Sequence, residues 1–187
     1  IDEAEKNKDE KNICWGTIQI AQKSVQIRYY NEAKAYYRKA LRVAEKNDAT
    51  FYASIIYRGL AEISLALQNI KEAEMNLKKC MPLIEEWEES TNLPLTLLTR
   101  AKIFIFKKEF DEANNILATA RSQFKHLGNE EGTAKTLHLF GQLFFNEKQL
   151  NLSKSYFNKS LNLIGNFEFN ATRIESHKFL AEIYALE

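Results

Sequence analysis

The chain has 187 residues, 45% of them apolar and 27% charged, a balance that supports a buried core and excludes a disordered segment. Lys and Arg number 26 against 25 Asp and Glu, and the net charge of +1 offers no field to attract nucleic acid or an anionic membrane. Six glycines and two prolines are too few breakers for a sandwich or barrel, and no apolar run of about eighteen residues marks a membrane span.

Apolar periodicity predicts an all-α chain. Residues 1–11 form a mixed-charge N-terminal extension, frayed or helical. The start at Ile1 rather than Met, with no basic-then-apolar leader, reads as a cut or processed fragment. Helices are expected in pairs: Asn12–Gln26 with Asn31–Glu45, Thr50–Leu67 with Lys71–Glu88, Leu95–Phe106 with Asp111–Leu127, and Glu130–Asn146 with Asn151–Ile164. A last helix covers Ala171–Glu187. Asp48, Asn92 with Pro94 two residues on, Gly128-Asn129 and Gly165 mark starts and stops.

The pairs repeat. YNEAKAYYRKAL around Ala33, IKEAEMNLKKCM around Ala73, FDEANNILATAR around Ala113 and LNLSKSYFNKSL around Ser153 align without gaps, each 40 residues from the last. Twelve residues before these anchors stand Ala21, Ala61, Ala101 and Gly141; seven after stand Ala40, Cys80, Ala120 and Ser160. Large residues lie three before (Tyr30, Ile70, Phe110, Leu150) and four after (Tyr37, Leu77, Leu117, Phe157). Antiparallel helices that approach closely at small positions and fill the gaps with large ones explain the pattern. One such hairpin cannot bury its apolar face alone, so neighbours must stack. The repeats span about 12–48, 49–91, 92–129 and 130–169, with a partial repeat over 170–187 in which Ala181 lies 40 beyond Gly141.

These small positions, with aromatics between them, resemble the tetratricopeptide repeat over nearly the whole chain from Asn12. The resemblance implies a right-handed α-solenoid of antiparallel hairpins over 12–187, four repeats plus one extra helix. The usual unit is about 34 residues, and its closing proline is replaced here by Glu45, Glu85, Lys125 and Gly165. Without that proline the second helix is expected to run on and absorb the extra residues. Units of this length are similar to those of kinesin light chains, MalT-like activators and Rap or PlcR-type regulators.

In such a solenoid the first helices line a concave groove that holds peptides. Counted from the small residue of each first helix, three before gives Ile18, Arg58, Leu98, His138 and Lys178; one after gives Gln22, Glu62, Lys102, Gln142 and Glu182; four after gives Val25, Leu65, Ile105, Phe145 and Ala185. These share a face. The expected peptide-binding set is Gln22, Arg58, Glu62, Leu65, Leu98, Lys102, Ile105, His138, Gln142 and Phe145. The alternative is that the apolar row packs between helices and the polar row is solvated surface. Repeats that bind chaperone tails clamp a carboxylate with Lys and Asn in this groove; no such pair occurs here, which argues against that ligand.

Arg100 stands where the other first helices carry Ile20, Leu60, Phe140 and Leu180, and calls for either a slightly rotated helix or a paired structural or ligand-binding arginine. Cys80 occupies a small slot as a buried thiol, and Cys14 is too distant in sequence to suggest a disulfide framework or metal site. His126, His138 and His177 have no His or Cys at i+4 to pair with as metal ligands. Glu85, Glu86, Glu88 and Glu89 around Trp87 make a solvated face or a dock for a basic partner, and Asn151 and Asn170 head glycosylation acceptor triplets that matter only on secretion. No phosphate loop, nucleophile elbow or zinc-protease motif is present.

The expected function is therefore a non-catalytic, cytoplasmic scaffold for a protein or peptide segment, with no cofactor and no direct contact with nucleic acid or membrane. The alternative is a sensor and oligomerisation domain of a larger regulator, homodimerising through an open C-terminal edge after Glu187.

Overall fold

The structure, a computed structural model, describes residues 3–84, 90–165 and 171–186. Among these residues lie nine α-helices and no strand: α1 (Glu3–Gln26), α2 (Tyr30–Lys46), α3 (Thr50–Ala66), α4 (Ile70–Cys80), α5 (Asn92–Lys107), α6 (Phe110–His126), α7 (Glu130–Asn146), α8 (Leu150–Ile164) and α9 (Ala171–Leu186). They fall into two compact units, 1–92 and 93–187. In the first, α1 packs on α2, α2 on α3 and α3 on α4, while α1 also meets α3. In the second, α5, α6 and α7 share one apolar core, α7 packs on α8, and α9 meets both α7 and α8.

The small residues do what their spacing demands. All twelve at the three expected offsets are buried, from Ala21, Ala33 and Ala40 to Gly141, Ser153 and Ser160. Of the large ones, Tyr37, Leu77, Leu117 and Phe157 are buried and Tyr30, Ile70, Phe110 and Leu150 half-buried. Ser153 Oγ donates to the Gly141 carbonyl at 2.8 Å, which measures how nearly α7 and α8 touch. A Cβ on Gly141 would come to 2.6 Å from Phe157 Cδ1, and one on Gly59 would overlap the Tyr37 ring. A fourth small row, not read from the sequence, lies nineteen residues before each anchor: Cys14, Ser54, Pro94 and Ala134, all buried. It meets the row seven after the anchor through Cys80 Sγ donating to Ser54 O at 3.1 Å and Ser160 Oγ to Ala134 O at 2.7 Å. Cys14 Sγ makes the converse bond to Ala40 O at 3.4 Å.

The turns repeat with half the sequence period. Apart from Gly165, which caps α8, the described residues with positive φ are Arg28, Asp48, Gln68, Lys108, Gly128 and Lys148, all in register at multiples of twenty residues. Each is followed by a residue whose amide reaches back five positions, as Tyr29 N does to Ser24 O at 2.8 Å and Gln149 N to Phe144 O at 2.9 Å. The positive-φ residue itself bonds three back, as Lys148 N does to Phe145 O at 3.0 Å. This pair of bonds is the Schellman motif, which satisfies the last carbonyls of one helix. The residue closing the motif is also the N-cap of the next helix, and Asn129 adds a side-chain bond from Gly132 N at 2.7 Å.

The helix lengths correct one expectation. The second helices are not the longer ones: first helices α3 and α7 and second helices α2 and α6 are all 17 residues long. In these four helices the residues beyond a shorter repeat are shared by both helices of the pair, and one turn geometry serves both joints. Nor does α4 continue as expected: it ends at Cys80, and a 3₁₀ turn over Met81–Leu83 follows with Pro82 at its start. A proline has no amide to give the helix and its ring crowds the carbonyl four residues back. The N-terminal extension is continuous with α1 from Glu3. Arg100 is exposed, with its guanidinium 5.6 Å from the Phe104 ring, and Ala181 on α9 is exposed too. The acidic cluster Glu85, Glu86, Glu88 and Glu89 with Trp87, and the acceptor Asn170, lie outside the described residues.

Two outcomes follow for stability. Lys148→Gly relieves the left-handed backbone cost of a residue with a Cβ and is expected to raise unfolding free energy by about 0.5–1 kcal/mol in urea melts. Gly141→Ala forces a methyl against Phe157 and is expected to cost about 1–3 kcal/mol in the same measurement.

Candidate binding surface

The structure divides the ten expected site residues by exposure. Leu98 and Ile105 belong to the apolar core of the second unit. Arg58 and His138 are buried as well. Gln22, Glu62, Leu65, Gln142 and Phe145 are half-buried, and Lys102 is exposed. The row three before the small residue therefore points inward at Ile18, Arg58, Leu98 and His138, with Lys178 exposed. Its side chains lean back along the helix toward the N-terminus, and Arg58 and His138 from there reach residues well over thirty positions on. What reaches the surface is the row one after, with the row four after beside it.

In the first unit, Arg58 organises this surface. Its Nη1 donates to Glu62 Oε1 at 3.1 Å, one helical turn on, and its Nε to Asn92 Oδ1 at 3.2 Å. Asn92 in turn donates through Nδ2 to Ser54 Oγ. A buried guanidinium must be paired, and here the pairing fixes Glu62 where only part of its carboxylate meets water. Tyr37, in the slot left by Gly59, has its hydroxyl pushed well above the usual tyrosine range by burial and the Glu62 charge, against the opposing effect of Arg58. On the second helices, Lys34 Nζ bridges both Glu72 oxygens at 3.1 Å. Burial would raise the Glu72 pKa, but bonds from Lys34 and Ser64 hold it below the ordinary value.

The second unit repeats the device eighty residues later with a histidine and an amide. His138 Nε2 lies 2.8 Å from Gln142 Nε2, and Nδ1 lies 2.7 Å from Ser176 Oγ on α9. Glu175 Oε2 stands 3.4 Å from Nε2 on the outer side. Phe157 and Phe179 wall the imidazole with ring centroids 5.4 and 6.1 Å away. Phe145 meets Phe179 edge-on at 5.3 Å, so it contributes to packing as well as to the surface.

Asn92, Ser54, Ser176 and Phe179 complete these clusters and were not anticipated. Their signal was indirect: Arg58 and His138 occupy a row that is Ile18 and Leu98 elsewhere, and a polar residue in an inward row requires a partner. Which partner depended on helix-to-helix distance, which a repeat period does not encode.

Among the described residues no group of His, Cys, Asp or Glu is placed to hold a metal ion, and no helix is long and apolar enough to cross a membrane. The tetratricopeptide repeat profile matches residues 19–47 and 134–167, so the chain contains tetratricopeptide repeats at these two places. No curated protein matches the sequence. The crystal structure of BtubC (BKLC) from P. vanneervenii is similar with a TM-score of 0.67 and 16% identity, over 99% of this chain and 84% of that one. The fold is thus that of an all-α, tetratricopeptide-like helical repeat.

The two bonds of Arg58 differ in burial, and so should their removal. Asn92→Ala leaves buried polar groups on Arg58 and Ser54 short of a partner and is expected to cost about 1–3 kcal/mol in urea denaturation. Glu62→Gln, at the wetter end, is expected to cost no more than about 1 kcal/mol.

Proposed function

We propose that the chain is a non-catalytic scaffold that binds protein or peptide segments on the first-helix surface of each unit. The observation that carries this reading is the paired device at one repeat position: Glu62 is held by Arg58, and Gln142 by His138. A polar side chain already fixed by a buried partner loses little rotamer freedom on binding, so its bond to a ligand's backbone is weakened less by ordering cost. Glu62 presents an acceptor, and Gln142 an amide that both donates and accepts. Leu65 and Phe145, one turn further on, offer apolar contact for the ligand's side chains. Gln22 and Lys102 extend the polar row to the remaining repeats.

The tetratricopeptide repeats at two places support an interaction role. The two cysteines are buried, and burial pushes the Cys14 thiol up, which suits a reducing compartment such as the cytoplasm.

A peptide array screened with the labelled chain, followed by anisotropy titration of the best sequences, tests the reading. Glu62→Arg or Gln142→Ala is expected to weaken binding by about tenfold or more, the scale of an interface hot spot. Lys39→Ala, on an exposed face of α2, should leave it unchanged. Ligands bound equally by all three variants would move the binding site off the first helices.

A further inference from the structure

We propose that the Tyr37 hydroxyl and the Glu62 carboxylate form a subsite for a side-chain carboxamide, so that the segment bound by the first unit places an asparagine or glutamine there. The inference rests on the first-helix binding surface proposed above and names the chemistry that one part of it selects.

The repeat sets Tyr37 apart. The residues four after each anchor are Tyr37, Leu77, Leu117 and Phe157, and the other three end in carbon. Tyr37 is 2% exposed, with the far end of its ring against Gly59 of α3. A Cβ on Gly59 would lie 2.7 Å from Cε2 and closer still to Cζ and Oη. The hydroxyl thus ends at the residue that follows Arg58 and lies one helical turn before Glu62. Buried polar atoms are normally bonded. Among the described residues no hydrogen bond reaches this hydroxyl. The described side-chain atoms that are both sealed from solvent and unbonded belong to Arg121 and Gln123, so the Tyr37 oxygen keeps an opening to the surface.

Glu62 is its neighbour on the surface side. Positions three apart on a helix stand about 5–6 Å apart at Cβ. The Glu62 side chain is 32% exposed, with Oε1 taking the Arg58 bond at 3.1 Å, and a carboxylate can accept about four bonds in all. Burial and the Glu62 charge both keep the phenol protonated. The site therefore offers one proton and an acceptor beside it.

The inventory of donors and acceptors then selects the ligand group. An ammonium offers only donors, leaves the Tyr37 proton unmet and meets the Arg58 charge. A carboxylate offers only acceptors and is repelled by Glu62. A trans backbone amide can reach Glu62 but not both groups, since its C=O and N–H point in opposite directions. A primary carboxamide sets its oxygen and one N–H side by side, the first for Tyr37 and the second for Glu62. It also brings no charge to a place where Arg58 already compensates Glu62.

Propionamide is the probe, titrated into the isotope-labelled full chain with the backbone amide signals of Gly59 and Glu62 as the readout. Saturable shifts are expected, with a dissociation constant raised about five- to tenfold by Tyr37→Phe and unchanged by Lys39→Ala on the exposed face of α2. Propylammonium, propionate and N-methylacetamide, the last standing for a peptide backbone, should show no binding that Tyr37→Phe weakens. Tyr37→Phe should not lower the thermal midpoint, because the hydroxyl has no bond within the protein to lose. The proposal is overturned by no saturation with propionamide up to about 0.3 M, by propionamide binding that Tyr37→Phe leaves intact, by equal Tyr37-dependent binding of any of the other three probes, or by a lowered midpoint. Array peptides whose affinity depends on Glu62 and Gln142 but not on Tyr37 or on their own amide side chains would sink this subsite and leave the scaffold reading standing. Tyr37-dependent propionamide binding with no peptide bound would do the reverse.

Discussion

Close approach of helix backbones at small side chains is the constraint on which the other features depend. Where Gly141 lies under Ser153, and Ala61 and Ala101 are buried at the equivalent places, no side chain stands between neighbouring helices, and a hydroxyl can bond the opposite carbonyl directly. Helices brought that near leave gaps above and below each contact, which Tyr37, Leu77, Leu117 and Phe157 fill. Neither half suffices alone. Small residues without the large ones would leave voids, and large ones without the small would hold the helices apart. Since each helix is small on one flank and large on another, the arrangement continues from one helix to the next within a unit.

That constraint also explains the inward polar residues. Once first helices are held side by side, a residue three positions before the small one has nowhere to go but the seam between them. Isoleucine or leucine fills the seam without further requirement, as at Ile18 and Leu98. Arginine and histidine fill it only by recruiting partners, and the nearest on their own helix sits one turn on, where the surface begins. The polarity of the surface at Glu62 and Gln142 is in this sense organised from below.

The repeat period, the small rows and the large residues between them were legible because backbone contact admits few residue types, so the restriction survives as a pattern. The turn signals at Asp48, Gly128, Asn129 and Gly165 were legible for the same reason. The left-handed residues at Arg28, Gln68, Lys108 and Lys148 were not, because a Schellman turn tolerates a side chain at modest cost and here rarely uses glycine. The α4 stop at Pro82 was available in the sequence and overridden by the apparent continuity of the repeat. For the candidate surface, periodicity placed the residues on one face of the first helices but not their depth. Four residues along a helix is a rotation of about 40° past a full turn, enough to separate a buried Leu98 from an exposed Lys102.

The equal spacing of the turns has a consequence for how such a chain can change in length. A single residue lost within a 17-residue helix rotates everything beyond it by about 100° and carries small residues away from the backbone they must touch. Twenty residues restore the turn but exchange first-helix and second-helix roles. Only a block of forty returns every residue type to a slot that accepts it. Lineages carrying this architecture should therefore gain and lose whole hairpins by duplication and deletion in the reading frame of the repeat, with point insertions confined to the joints.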